Sequence, residues 1–254
     1  MKILVAKRNT LFLGAALLLS FVLSVWALSA SGAYAVFYNR TVRELPIYSV
    51  EREEKVVAIT FDAAWGTEHT DEILTRLAEK NVKATFFLVE FWTKKYPDYV
   101  KKIAEAGHAI GTHSATHGHM SKMSEAVIQK ELSTSSAAIT EITGQSVTLF
   151  RPPYGDYNDR LMKTAKSMGL YSIQWDVDSL DWKDLSAGDI AKRVVPKVKN
   201  GSIVLCHNNG KHTAEALPVI LEALQNAGYR FVTVEELIYK ENYQMDANGR
   251  QFPA

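Results

Sequence analysis

From Lys55 onward, short β-rich runs alternate with amphipathic stretches of helical length, and this order constrains the fold more than any other feature of the chain. Strands separated by helices cannot close as hairpins, so they pair in parallel and the helices cover the sheet. The strand candidates are Lys55–Phe61, Lys83–Val89, His108–Thr112, Thr148–Phe150, Tyr171–Val177, Ser202–Leu205 and Phe231–Val234. Between them apolar positions recur mostly at three and four, as in Ile73-Leu74-Leu77-Ala78, Tyr99-Ile103-Ala104, Val127-Leu132-Ile139-Ile142, Leu161-Ala165-Met168, Ile190-Val194-Val198 and Ala216-Ile220-Leu224. Gly107, Gly144, Gly169 and Gly228 stand where helices should stop. Seven strands with six intervening helices predict an α/β fold, a distorted (β/α) barrel of about seven strands, with an open doubly wound sheet as the alternative. The length of 254 residues suits one core. Cys206 is the only cysteine, so no internal disulfide supports the fold.

Ahead of this region lies a stretch without charge from Asn9 to Asn39, and Leu11–Leu28 is dominated by Leu, Val, Phe, Ala and Trp. That run is long enough to cross a hydrocarbon core of about 30 Å. Lys2, Lys7 and Arg8 flank its start, which places the N-terminus in the cytoplasm and the remainder outside. Two readings stay open: a single-pass anchor, or a secretory signal cleaved near Ala35, after Ala33-Tyr34-Ala35. A buried helix of a soluble domain would leave the basic flank unexplained. The expected organisation is a basic flank over 1–10, an anchor or signal over 11–35, a linker over 36–54, the α/β domain over 55–240 and a polar tail over 241–254. Net charge is +1 with no basic block, which argues against nucleic acid as a partner.

In a barrel of parallel strands, residues just past the C-terminal strand ends converge on one face. Here those positions are Asp62 to Gly66, His113 to His117, Arg151 to Gly155, Asp176 to Trp182, and His207. Any one of them has an ordinary structural explanation; five ends of one sheet are harder to dismiss. His113 and His117 stand four apart, which sets two imidazoles on one side of a helical turn, where both can bind a divalent ion or simply serve as polar groups. Asp62 follows an apolar strand into a loop, placed for a general base or for capping a helix near Thr67. Arg151, before two prolines, can pair with that carboxylate and hold it ionised, or form an ordinary ion pair. His207 can donate a proton to a leaving nitrogen if Asp181 or another carboxylate orients it, or cap its strand. Cys206, on the opposite side of that strand, reads as core. No Gly-x-Ser-x-Gly elbow, Walker loop, Gly-x-Gly-x-x-Gly or His-Glu-x-x-His occurs.

These motifs, in this order over Val56 to Leu237, resemble the NodB-type polysaccharide deacetylases, carbohydrate esterases that remove N-acetyl groups from chitin-like or peptidoglycan sugars. Thr-Phe-Asp-Ala-Ala-Trp-Gly and Trp-Asp-Val-Asp-Ser-x-Asp-Trp look most like the PdaB branch associated with spore formation. The resemblance implies the distorted barrel and an extracytoplasmic N-deacetylase acting on peptidoglycan of the cell wall or spore cortex. By position it implies Asp62 as base, Arg151 as its partner, His207 as acid, Asp181 as tuner of the acid, and Tyr154 as backbone donor to the oxyanion. It further implies Trp182 and Leu205 as lining of the acetyl pocket, and His113 and His117 as ligands of a divalent metal, zinc being expected. Trp65, Trp182 and Tyr154 suit stacking on pyranose rings. Ala63 departs from the pattern, because family members usually carry there an Asp that completes an Asp-His-His site. Glu68 or His69 could substitute, and a glycan-binding or scaffold protein without turnover is the alternative.

Overall fold

The computed structural model describes residues 8–30 and 43–254, with side chains over 12–27 in the first stretch. One unit contains helix α1 (Arg8–Ala30), and the other runs Glu44–Ala254. In α1 the side chains of Phe12, Leu17, Phe21 and Leu23 are all exposed. Among the described residues no helix is long and apolar enough to cross a membrane. Lys2, Lys7 and the Ala33-Tyr34-Ala35 motif lie outside the described residues.

In the second unit a short strand, β1 (Ser49–Val50), precedes the central strand β2 (Val56–Ala63), every residue of which is buried. A parallel strand covered on both faces reads as an almost unbroken apolar run, and Val-Val-Ala-Ile-Thr-Phe-Asp-Ala does so until its last turn of polarity at Asp62. Strands β3 (Thr85–Leu88), β4 (Ala109–Thr112), β5 (Leu149–Phe150) and β6 (Tyr171–Ser172) follow in parallel on one side of β2. After β7 (Val177–Asp178), strand β8 (Ser202–His207) pairs parallel to β2 on its other side. Tyr171–Ser172 pairs with β5 at one end of the sheet, whereas Val177–Asp178 pairs with β8. The predicted strand Tyr171–Val177 is therefore two strands joined by a bend, and this bend curls the sheet into an incompletely closed barrel rather than an open doubly wound sheet. A further short strand, β9 (Arg230–Phe231), pairs with β2.

The predicted helices are present as α2 (Thr70–Glu79), α4 (Pro97–Glu105), α5 (Glu125–Thr143), α6 (Asp159–Ser167), α7 (Ala187–Val194) and α8 (Thr213–Asn226), with short α3 (Glu90–Lys95) and α9 (Val234–Leu237) added. Gly144 ends α5 at φ +69°, where a Cβ would be strained. Alternation along β2 sorts the core. Val57, Ile59, Phe61 and Ala63 join the helices' Ile73, Leu77, Ile190 and Leu217 in an outer layer. Val56 and Ala58 face inward with Phe87, Leu149, Ile173 and Ile203, and Thr60 and Asp62 continue that inner row toward the barrel mouth.

Two boundaries move. The expected linker joins the fold at Ile47, which bridges Ile173, and at β1, which pairs antiparallel to β8. The expected polar tail is a hairpin, β10 (Tyr243–Met245) and β11 (Arg250–Pro253), and β11 lies parallel to β1. Gly201 permits this edge: a Cβ there would stand 1.7 Å from the Val50 carbonyl oxygen.

Candidate active site

Asp62 and His207 are register partners on β2 and β8. Neighbouring strands lie about 4.8 Å apart, so the two groups leave the sheet side by side. Asp62 Oδ1 accepts from Arg151 Nη1 at 2.8 Å, and the fully buried guanidinium also donates to Thr60 Oγ1 at 2.7 Å and to the Gln174 carbonyl at 3.1 Å. It lies 4.1 Å over the Phe87 ring. Room for that ring comes from Gly111, where a Cβ would approach Phe87 to 2.7 Å. Burial pushes the Asp62 carboxyl up, but the charge and hydrogen bond of Arg151, with the charge of His207, outweigh it and hold the group below the usual 3.8. Asp62 belongs to the strand and caps no helix, since α2 begins at Thr70 behind His69.

His207 is oriented from behind. Its Nδ1–H donates to Asp181 Oδ1 at 2.7 Å, while Asp181 Oδ2 accepts the His207 backbone N–H at 2.7 Å and the Thr213 hydroxyl at 2.6 Å. A carboxylate can only accept, so Nδ1 carries a proton and Nε2 is the nitrogen left to exchange one with a ligand. Burial lowers the imidazole's pKa, yet the hydrogen bond and charge of Asp181 carry it above 6.5.

His113 and His117 are brought together by a loop, not by the helical turn expected from their spacing. Ser114 and His117 hold φ of +73° and +56°, and the two rings stand 4.9 Å apart. His113 Nδ1–H donates to the Arg151 carbonyl at 2.7 Å, which leaves the Nε2 lone pair 3.5 Å from Asp62 Oδ2. Burial drives both imidazoles below 6.5, His117 to about 4, so both are neutral at pH 7. His117 Nδ1 is buried without a hydrogen-bond partner. These two histidines fit a divalent ion; the third ligand is lacking. Ala63 is fully buried in the outer apolar layer, the Glu68 carboxylate folds over Gly66, and among the described residues no three His, Cys, Asp or Glu gather for a metal.

Around His117 the mouth is aromatic. Trp65 and Tyr154, 54% and 58% exposed, set their rings 4.7 and 4.6 Å from it. Phe91 extends the row beyond Trp65, and His119 stacks on Tyr154 at 4.5 Å. The Gly66 carbonyl fixes the Trp65 loop by accepting from Trp92 Nε1 at 2.7 Å and Asn208 Nδ2 at 2.9 Å. Leu205 is buried on β8 opposite Thr60, on the same strand face as His207. Trp182 follows Asp181 and is 55% exposed, with Lys183 Nζ 4.9 Å from its ring. Cys206 packs in the outer layer, as expected. Thr60, Thr213, Gln174 and Phe91 were not anticipated. Strand alternation from Asp62 marks Thr60, but no sequence signal links Thr213 to Asp181 across 32 positions.

Residues 49–173 match the family model described as polysaccharide deacetylase. The chain is 36% identical to the peptidoglycan-N-acetylglucosamine deacetylase PgdA of Listeria monocytogenes over 82% of its own length, and spans 43% of that longer protein. A peptidoglycan-N-acetylglucosamine deacetylase of Bacillus cereus is 35% identical, with 75% of this chain and 92% of that protein covered. Among solved structures, BA3943 of Bacillus anthracis, described as a CE4 family pseudoenzyme, superimposes with a TM-score of 0.75 at 35% identity, covering 78% of this chain and 70% of that one. A BA3943 mutant with restored enzymatic activity matches with the same TM-score at 36% identity over 78% and 72% of the two chains. With the curled barrel, the paired Asp62 and Arg151, and the Asp181-oriented His207 at its mouth, the chain belongs to the polysaccharide deacetylase family.

Proposed function

We propose that the protein hydrolyses N-acetyl groups of an extracytoplasmic amino-sugar polymer, peptidoglycan of the cell wall or spore cortex. The observation that carries this reading is the side-by-side placement of a carboxylate kept ionised by Arg151 and an imidazole kept protonated by Asp181. Asp62 takes the proton of the attacking water, and His207 Nε2 delivers one to the departing amine. The Tyr154 backbone N–H would donate to the developing oxyanion, and Trp65, Tyr154 and Trp182 offer rings for sugar stacking. His113 and His117 would hold a divalent ion, zinc by donor type, which when bound supplies positive charge against the oxyanion and acidifies water. The likeness to PgdA and the Bacillus cereus deacetylase supports peptidoglycan as substrate. The uncharged run from Asn9 to Asn39 and the basic residues Lys2, Lys7 and Arg8 ahead of it support tethering to the outer face of the cytoplasmic membrane.

A second reading rests on Ala63 and on the likeness to BA3943: a glycan-binding protein without turnover. Incubating the full-length chain with N-acetylated peptidoglycan and zinc separates the two. Deacetylation releases acetate; the alternative gives a chain that sediments with the glycan and releases none.

A further inference from the structure

The geometry points to Glu131 as a positioning residue for the two imidazoles; the inference rests on the reading above only through them. Glu131 lies on α5 and is buried. Its Oε2 accepts the backbone N–H of Ala115 at 2.9 Å and of Thr116 at 2.8 Å, and its Oε1 accepts the Thr116 hydroxyl at 3.0 Å. Both residues stand between His113 and His117, so one carboxylate holds the middle of the loop that presents them.

The loop needs such a clamp. Ser114 and His117 both occupy left-handed backbone, which a residue with a Cβ keeps only when its surroundings over-determine it. Local bonds help: the His117 N–H donates to Ser114 Oγ at 3.0 Å, and the Ser114 N–H to Thr112 Oγ1 at 3.2 Å. These tie the loop to itself and to β4. The tie to the helical layer comes from α5, where Ser135, one turn after Glu131, accepts the Thr112 hydroxyl at 2.7 Å. Glu131 and Ser135 share a helix face, and together they grip the strand end and the loop at two points. Without Glu131 the amides of Ala115 and Thr116 turn to water, and the left-handed residues are free to relax, carrying the His117 ring away from His113.

The test compares zinc affinity by calorimetry and the imidazole NMR signals of the metal-free protein, in the full-length chain and its variants. Glu131→Ala should weaken zinc binding by about tenfold or more, as loss of a group that orients a ligand does, and should shift or split the His113 and His117 signals. Glu131→Gln keeps an oxygen for the two amides and an NH2 group for the Thr116 hydroxyl, and should restore both readouts. Leu224→Ala, a cavity at a buried position of α8, controls for lost stability alone and should move neither. Unchanged signals in Glu131→Ala, or an equal loss in Leu224→Ala, overturn the proposal. If Glu131→Ala does not fold, Thr116→Val removes one of the three bonds at an exposed position, and unmoved ring signals there overturn it equally. If the parent binds no zinc, the ring signals alone decide, and that failure counts against the metal reading rather than against the clamp.

Discussion

An ionised carboxylate and a protonated imidazole coexist at the barrel mouth because each has its own buried partner. Asp62 titrates below 3.8 and His207 above 6.5, so between those values both stand in the form that hydrolysis requires. The linkage to folding has opposite signs. Asp62 contributes stability above 3.8 that is lost as pH falls through its lower folded value; His207 contributes below 6.5 and loses it as pH rises through its higher one. Arg151→Met leaves Asp62 buried without its cation. Denaturant titration is expected to show a loss of about 3–5 kcal/mol, and the acid limb of the activity profile should move to higher pH. An unmoved limb would mean that Arg151 is not what keeps Asp62 ionised. Ala63→Asp tests the missing ligand: because position 63 lies in the outer apolar layer, calorimetry should show zinc binding no tighter than in the parent. A gain would mean that position 63 reaches His113 and His117 after all. The site was legible where residues stand at or just past strand ends, as Asp62, His113, Arg151 and His207 do. Glu131 and Thr213 were not, since each reaches its partner from a helix that only the folded sheet brings near.

At the level of elements, β2 and the helices of strong period were readable because a buried parallel strand and an amphipathic helix each write a distinct pattern. The bend after Tyr171 was not, because nothing local tells one apolar run from two short strands, one pairing with β5 at the sheet edge and the other with β8 beside β2. The C-terminal hairpin was missed for a related reason: its strands are short and polar, and their pairing is set by β1, some two hundred positions earlier. Gln251 shows how firmly it is held. Fully buried, it returns Oε1 to the Tyr239 N–H at 2.8 Å and Nε2 to the Tyr239 carbonyl at 2.6 Å. Gln251→Leu should cost about 1–3 kcal/mol for each backbone group left unpaired, measured by urea unfolding. Unchanged stability would show that the hairpin is an appendage rather than part of the sheet.

For the whole molecule, tethering and chemistry make separate claims. A reporter fused after Ala254 should be active outside the cell and sediment with membranes; activity confined to the cytosol would refute that orientation, and release into the medium would favour cleavage after Ala35. The chemistry needs Asp62 and His207 to act on a bound N-acetyl group, and His207→Ala isolates it, because only the transition state requires that proton. The decisive measurement is the rate of acetate release from N-acetylated peptidoglycan by the parent and by His207→Ala, with glycan binding measured on the same samples. The expected result is a rate about 10²-fold or more lower in the variant with binding nearly unchanged; equal rates, or no acetate from the parent while it binds the glycan, would contradict it.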